Sequence, residues 1–85
     1  MPRYYFHVCN GEGFTEDEEG LELRDEAAAR KTAIKEARAL MADELRDGQL
    51  NLASFIEVED EKRERLFTLT FEEAVAINRQ PAVQV

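Results

Sequence analysis

Residues 26–47 read EAAARKTAIKEARALMADELRD, and this stretch decides the fold. It is a run of strong helix formers, so we predict a helix from Glu26 to Asp47. Asp25 is the natural N-cap, because its carboxylate can accept hydrogen bonds from free N–H groups of the first turn. Gly48 supplies the left-handed residue that commonly ends a helix. The helix would be about 33 Å long, whereas a six-residue strand is about 20 Å, so one end should project beyond its sheet.

The faces of this helix differ in character when it is plotted at 100° per residue. One arc is apolar and wide enough to face a core; it contains Ala27, Ala33, Ile34, Ala37, Leu40, Met41 and Leu45. One flank is basic and contains Lys31, Lys35, Arg38 and Arg46. The other flank is acidic and contains Glu36, Asp43 and Asp47. Two interpretations remain open: both flanks are simply solvated, or the polarised surface orients a partner.

The composition is that of one small folded domain, and it argues against several classes of function. Among the 85 residues, 19 acidic and 11 basic side chains give a net charge of −8, which argues against binding nucleic acid through phosphates. No apolar run approaches membrane length, and the N-terminus lacks the apolar core of a signal peptide. Cys9, the single cysteine, has no internal disulfide partner. We therefore expect a cytoplasmic protein that binds neither nucleic acid nor membrane.

Two extended stretches precede the helix. Residues 3–9 are rich in aromatic and branched residues and predict an interior strand, because both of its faces are largely apolar. Tyr4, Phe6 and Val8 form the better core face. Asn10-Gly11 is a strong hairpin signal. Residues 14–23 predict a second strand, interrupted by the acidic run before Gly20 and best placed at a sheet edge.

Two further strands and a short helix follow. We predict strands at 54–59 and 65–70, with Ile56, Val58, Phe67 and Leu69 facing the core. Thr70 to Glu73 fits a capping box, so a short helix over 71–78 should pack Phe71, Ala74 and Ile77 onto the domain. The predicted fold is α+β: a single antiparallel four-stranded sheet in the order β-β-α-β-β, with the long helix on one face. Residues 1–78 form the domain, and residues 79–85 form a loose tail.

The N-terminal motif Met-Pro-Arg-Tyr-Tyr-Phe-His-Val, residues 1–8, is followed by Asn10-Gly11 and by the segment 17–23, DEEGLEL. Together with Asp25 and Ala28-Ala29, these residues resemble a family of short alphaproteobacterial proteins known only as a domain of unknown function. The hairpin strands before an Ala- and Glu-rich helix are similar, more loosely, to the N-terminal domain of HicB-type antitoxins. That resemblance implies binding of a small basic protein, but the chain lacks the Pro-Asp loop pattern and the DNA-binding segment of those antitoxins.

Two patterns of potential chemistry remain weak. His7 and Cys9 share a strand face about 6.6 Å apart, whereas a Cys–His dyad needs contact near 3 Å and an orienting group, and zinc needs three or four ligands. Residues 15–26 nearly fit a calcium loop, with Asp17, Glu19, Gly20 and Glu26 at its positions 3, 5, 6 and 12, but no helix precedes the loop. We therefore expect no cofactor, no metal and no catalytic residue.

A protein-interaction or regulatory module is the leading functional hypothesis. One helix covers only one face of the predicted sheet, and the other face would carry Tyr5, His7, Cys9, Phe55, Leu66 and Thr68. An exposed patch with such side chains suggests a protein partner or a homodimer that tightens with salt, since salt screens the repulsion between two acidic copies. The rival from another class is a minimal enzyme or metal-binding protein that uses His7, Cys9 and the acidic loop 15–20.

Overall fold

The computed structural model describes residues 1–81 and shows an α+β fold, with one long helix against an antiparallel sheet. Of the predicted tail, residues 82–85 lie outside the described residues. No helix within residues 1–81 has the length and apolar character needed to cross a membrane. The elements are β1 (Arg3–Asn10), β2 (Gly13–Thr15), β3 (Leu21–Glu22), α1 (Glu26–Arg46), β4 (Phe55–Glu59), β5 (Arg65–Thr70) and a 3-10 turn (Glu72–Ala74).

Both ends of α1 are fixed by the local interactions that the sequence predicts. The Asp25 carboxylate accepts from the Ala28 N–H at 2.9 Å. At the other end the Gly48 N–H donates to the Leu45 carbonyl and the Gln49 N–H to the Glu44 carbonyl, both at 3.0 Å. This pair of bonds is the Schellman motif, and Gly48 adopts the positive φ of 78° that it needs. The helix therefore begins and ends where predicted, to within one residue.

The sheet has five strands, so the prediction of four is wrong. Its order is β2-β1-β4-β5, and β3 also pairs with β1. The predicted second strand is divided in two: β2 pairs with residues 8–10 of β1, and β3 pairs with Arg3 and Tyr4. The interruption is the acidic segment, which we define as residues 16–20. As predicted, β1 lies inside the sheet and the acidic stretch lies at its edge.

The core lies between α1 and one face of the sheet. Cross-strand partners Phe6 and Val58, and Ile56 and Leu69, share that face, and all four are buried. On the helix side the buried residues are Ala29, Ala33, Ala37 and Met41. Small alanines bring the helix backbone close to the sheet, so the larger strand side chains fill the space between them. Each large side chain that is fully buried contributes about 1.5–3 kcal/mol to stability.

The predicted apolar stripe of α1 is wrong at both of its ends. Ala27 and Leu45 are exposed, and Ala29 is buried instead. Leu45 has an exposed fraction of 59% because it lies near the C-terminal end of a helix that is longer than the strands beneath it. A helix that projects beyond its sheet cannot bury the residues at its end. The predicted projection is therefore correct, and the predicted burial of Leu45 is wrong.

The predicted C-terminal helix over 71–78 is wrong, since only the 3-10 turn forms. The capping box itself is present: the Thr70 N–H donates to Glu73 Oε1 at 2.8 Å, and the Glu73 N–H donates to Thr70 Oγ1 at 3.2 Å. The Ala74 carbonyl, which a continuing helix would use, instead accepts from Arg38 Nε at 2.7 Å. Val75 is extended, with φ −138° and ψ 159°. Ala74 is consequently buried as predicted, whereas Ile77 is exposed.

Candidate functional site

The sheet face opposite α1, which we call the far face, brings together most of the residues predicted for an interaction surface. The β1–β4 register places Cys9 beside Phe55 and His7 beside Glu57, and the β4–β5 register places Thr68 on the other side of Glu57. Tyr5 pairs with Glu59 on the same face. A shift of register between Val58 and Glu59 leaves Leu66 in a β-bulge, where it packs against the buried core.

His7 is buried on the far face, with an exposed fraction of 2%. Its Nδ1 accepts from the Asp17 backbone N–H at 3.0 Å, and its Nε2 lies 2.8 Å from Glu59 Oε1. Because a backbone N–H can only donate, Nδ1 carries the lone pair and Nε2 carries the hydrogen that Glu59 accepts. The imidazole is therefore neutral with both nitrogens satisfied, and it ties β1 to the acidic segment.

Asp17 holds the acidic segment against the sheet. Its Oδ2 accepts from the Phe6 N–H at 3.0 Å, and its Oδ1 accepts from the Gly20 N–H at 3.1 Å. Phe6 lies in the gap between β2 and β3, so the carboxylate replaces the strand partner that this N–H would otherwise lack. Gly20 is required at the end of the segment, because its φ is +70° and an added Cβ would lie 2.8 Å from the Tyr4 carbonyl oxygen.

Two further contacts cover the far face. The Arg63 guanidinium lies over the Tyr5 ring, 3.6 Å from its centroid, with Nη1 3.8 Å from Glu59. The Phe14 ring lies 5.5 Å from the His7 ring. The expectation that one helix leaves this face uncovered is therefore wrong at His7 and only partly right at Tyr5. Cys9 and Phe55 are half-buried, and Thr68 is exposed.

The polar groups of His7 and Asp17 all take part in hydrogen bonds within the fold. Both nitrogens of His7 and both carboxylate oxygens of Asp17 already have partners. Within residues 1–81, no three side chains of His, Cys, Asp or Glu converge in a way that could hold a metal ion. The arrangement orders the edge of the sheet.

A different surface carries the exposed apolar side chains. A groove of about 390 Å³ lies between the C-terminal half of α1 and residues 75–77. We call it the α1 groove; it is lined by Arg38, Met41, Ala42, Leu45, Leu50, Val75, Ala76 and Ile77. Of the seven large apolar side chains exposed in residues 1–81, four lie here, with exposed fractions of 37–59%: Leu45, Leu50, Val75 and Ile77. Isolated apolar residues on a surface are ordinary, whereas these four lie together around one groove.

Local structure explains why this groove forms. The Schellman turn at Gly48 redirects the chain and leaves Leu50 beside the end of α1. The bond from Arg38 to the Ala74 carbonyl holds the opposite wall, residues 75–77, against the helix. The groove therefore depends on one helix end and on one side-chain hydrogen bond.

The opposite flank of α1 carries a second groove of contrasting chemistry. It has a volume of about 430 Å³ and is lined mainly by polar residues of α1, of the β1–β2 turn and of the loop after α1. Four carboxylates and no cation line it: Glu12, Asp43, Glu44 and Asp47. We call it the acidic groove. Asp43 and Asp47 of the acidic flank thus line this groove, whereas Arg38 of the basic flank lines the α1 groove.

Two carboxyl groups have shifted pKa values. Burial raises the pKa of Glu36 on α1, and the nearby negative charge of Asp17 raises it further. Hydrogen bonds from the Thr70 backbone N–H and hydroxyl lower the pKa of Glu73. The lowered pKa of Glu73 is a consequence of the capping box.

Sequence reasoning missed the α1 groove because it assigned two of its residues to the core. Leu45 has the spacing of the buried stripe, and Ile77 has the spacing of a helix that does not form. The usable signal was the length of α1: a helix that projects beyond its sheet exposes the apolar residues at its end. The sequence places Arg38 on the basic flank of α1 but gives no sign of its bond to the Ala74 carbonyl.

A family model described as Domain of unknown function (DUF6894) matches residues 3–72. The matched region extends from β1 to the 3-10 turn, so it includes the whole sheet, α1 and the acidic segment. No curated protein and no solved structure matches the chain.

Proposed function

The chain belongs to the DUF6894 family of domains of unknown function, and we propose that it acts as a small, non-enzymatic protein-interaction module. The observation that carries the proposal is the clustering of four exposed apolar side chains around the α1 groove. Because 37–59% of each side chain is exposed, covering it would contribute roughly half of the 1.5–3 kcal/mol for full burial, and the four together can anchor a modest interface. With a single cysteine, the module suits the reducing cytoplasm.

The shape of the groove favours an inserted peptide segment over a small molecule. The α1 wall spans Arg38 to Leu45, about two helical turns, and the other wall is the short non-helical run 75–77, in which Val75 is extended. An amphipathic segment that lays two or three apolar side chains into such a groove is a common mode of peptide recognition.

Site-specific photo-crosslinking tests this proposal and compares the two candidate surfaces. A photoreactive amino acid is placed at Leu45 in the α1 groove or at Thr68 on the far face, both of which are exposed. We expect a discrete protein adduct in native cells from position 45 and none from position 68. An adduct from position 68 alone would move the interaction to the far face, and the absence of adducts at both positions would contradict the proposal.

A homodimer through the far face is an alternative use of the same module. Phe55, Cys9 and Thr68 provide the accessible part of that face, beside Arg63 and the acidic segment. Sedimentation at low and high salt tests it, with the variant Phe55→Glu as the comparison. A dimer on this face tightens with salt and is lost in the variant.

The acidic groove supports a second function, an antitoxin-like binder of a small basic protein. Its four carboxylates and the net charge of −8 would attract such a partner, as the similarity to HicB-type antitoxins implies. The test is titration with a Lys- and Arg-rich peptide. Binding that weakens with salt and with Asp47→Lys, but not with Glu64→Lys in the distant β4–β5 turn, would favour this function.

A further inference from the structure

We propose that the segment that occupies the α1 groove is acidic and amphipathic, with Asp or Glu side chains beside its apolar anchors. This inference rests on the proposed interaction function and adds the chemistry of the partner. It follows from the distribution of charge around the groove, which is opposite to that of the chain as a whole.

The residues that line the groove are apolar except for Arg38. On the same flank of α1, Lys35 and Lys31 lie about one and two helical turns before Arg38, and Arg46 follows Leu45. Lys31, Lys35 and Arg46 are exposed, and with Arg38 they form a cationic border along the helix that leads to the groove. Acidic residues outnumber basic ones by 19 to 11 in the chain, yet none lines this groove. A cationic border on an acidic protein creates a local field that favours a partner with carboxylates at the matching positions.

Most of this border is available to a partner. Within residues 1–81, Lys31, Lys35 and Arg38 form no ion pair, whereas Arg46 pairs with Asp43. Arg38 donates through Nε to the Ala74 carbonyl, which fixes the guanidinium at the groove wall. Its two terminal nitrogens have no hydrogen-bond partner in the described part of the chain, so they can receive a carboxylate.

A second copy of the chain is a poorer occupant. The exposed acidic segment is flanked by exposed Phe14 and Leu21, which gives it a similar composition. However, the Phe14 ring packs at a tilt against the His7 ring, and Asp17 holds the segment in place. The segment is therefore not a free amphipathic element. Two copies also bring together two net charges of −8, which repel at low salt.

The test uses two short synthetic helical peptides with identical apolar positions, one flanked by Glu and the other by Lys. Binding to the full chain is measured by fluorescence anisotropy and mapped by amide chemical shifts. We expect the acidic peptide to bind about tenfold or more tightly than the basic one, to shift Leu45, Leu50, Val75 and Ile77, and to weaken with salt.

Charge-reversal variants then locate the effect. The double variant Lys31→Glu/Lys35→Glu should weaken binding of the acidic peptide by about tenfold or more, because it reverses the charge of the helix flank that leads to Arg38 and the groove. The control Arg24→Glu/Lys62→Glu makes the same charge change at exposed positions away from the groove and should leave binding nearly unchanged. Arg38 is kept, since it also supports the groove wall.

The outcomes separate this inference from the function on which it rests. If both peptides bind equally in the groove, or if the basic one binds more tightly, the inference of an acidic partner is overturned. The proposed interaction function of the groove would still stand. If neither peptide binds, the inference of an acidic partner is also overturned. Photo-crosslinked adducts from position 45 would in that case still show that the groove is an interface. Self-association that is lost in Lys31→Glu/Lys35→Glu would identify a second copy as the occupant and also overturn the inference.

Discussion

The far face of the sheet and the α1 groove differ in what covers their side chains. The far face carries Tyr5 and His7, and hydrogen bonds and a cation–π contact from nearby chain segments cover both. The α1 groove carries Leu45 and Ile77, and both are exposed. Periodicity predicts which side of a strand or helix a residue occupies. Whether its side chain is buried depends on which other segments pack beside that element.

The chemistry of the two regions differs as well. The cover of the far face is polar and depends on a few specific groups: the Asp17 carboxylate, the His7 ring and Glu59. The α1 groove is apolar and held open by backbone geometry at the end of a helix. A surface covered by polar contacts contributes to folding, whereas an apolar surface left uncovered is available for binding. This difference is why we assign the interaction to the groove.

The largest expected effect comes from Phe71→Ala. Phe71 is 1% exposed and its N–H donates to the Ser54 carbonyl just before the turn that leads to the groove wall. We expect a loss of about 3–5 kcal/mol in the free energy of unfolding, measured by urea denaturation. The control Phe14→Ala removes the same side chain at an exposed position and should cost far less. If both variants lose the same free energy of unfolding, Phe71 does not support the groove wall from the core.

Asp17→Ala should open the far face. It removes the acceptors of the Phe6 and Gly20 N–H groups, and leaving such groups unpaired costs about 1–3 kcal/mol. Hydrogen exchange at the Phe6 amide should accelerate, and His7 should become accessible to solvent. Glu18→Ala, at the exposed neighbouring position, is the control. A Phe6 amide that exchanges as slowly as in the wild type would show that Asp17 does not hold the cover.

Leu45→Ser should separate binding from stability. Because Leu45 is 59% exposed, we expect the free energy of unfolding to change by no more than about 0.5 kcal/mol, while binding in the α1 groove is lost. Thermal denaturation and peptide titration measure the two effects on one sample. A large fall in melting temperature would place Leu45 in the core after all.

The smallest expected effect is a gain in stability from Glu36→Gln. The pKa of Glu36 is raised in the folded state by burial and by the charge of Asp17, so the ionised form opposes folding at neutral pH. As the pH falls through the pKa of Glu36 in the folded state, the wild type should regain this free energy of unfolding because the carboxyl group becomes neutral. The glutamine of the variant does not titrate, so the variant gains nothing at this position. Thermal denaturation at pH 7 and near pH 4 compares the two proteins. A variant less stable than the wild type at pH 7 would reverse the sign of this argument.

Much of the fold could be predicted because it depends on local signals. The caps of α1, the interior position of β1 and the inward faces of β4 and β5 follow from residue type, spacing and turn chemistry. The capping box at Thr70 was also predicted correctly, but the helix it normally begins was not. The 3-10 turn that forms in its place stops at Val75, whose backbone is extended. Next to this residue the Ala74 carbonyl accepts from Arg38, which is distant in sequence, and no local pattern reports such a contact.

The candidate site was harder to predict for the same reason. His7 looked like one member of an open face because alternation placed it there, yet Asp17 and Glu59 come to it from other parts of the chain. Ile77 looked like a core residue because its spacing suited a helix. In both cases the outcome depends on tertiary contacts among a few polar groups, which single-sequence reasoning does not resolve.

The central claim is that the α1 groove is open and the far face is covered at His7, and solvent paramagnetic relaxation tests it most directly. A neutral gadolinium chelate is added to the isotope-labelled protein, and line broadening is compared between the Leu45 and Ile77 methyl groups and the His7 ring. We predict strong broadening of the methyl groups, whose residues are 59% and 44% exposed, and little broadening at His7, which is 2% exposed. Strong broadening at His7 together with protected methyl groups would contradict the account.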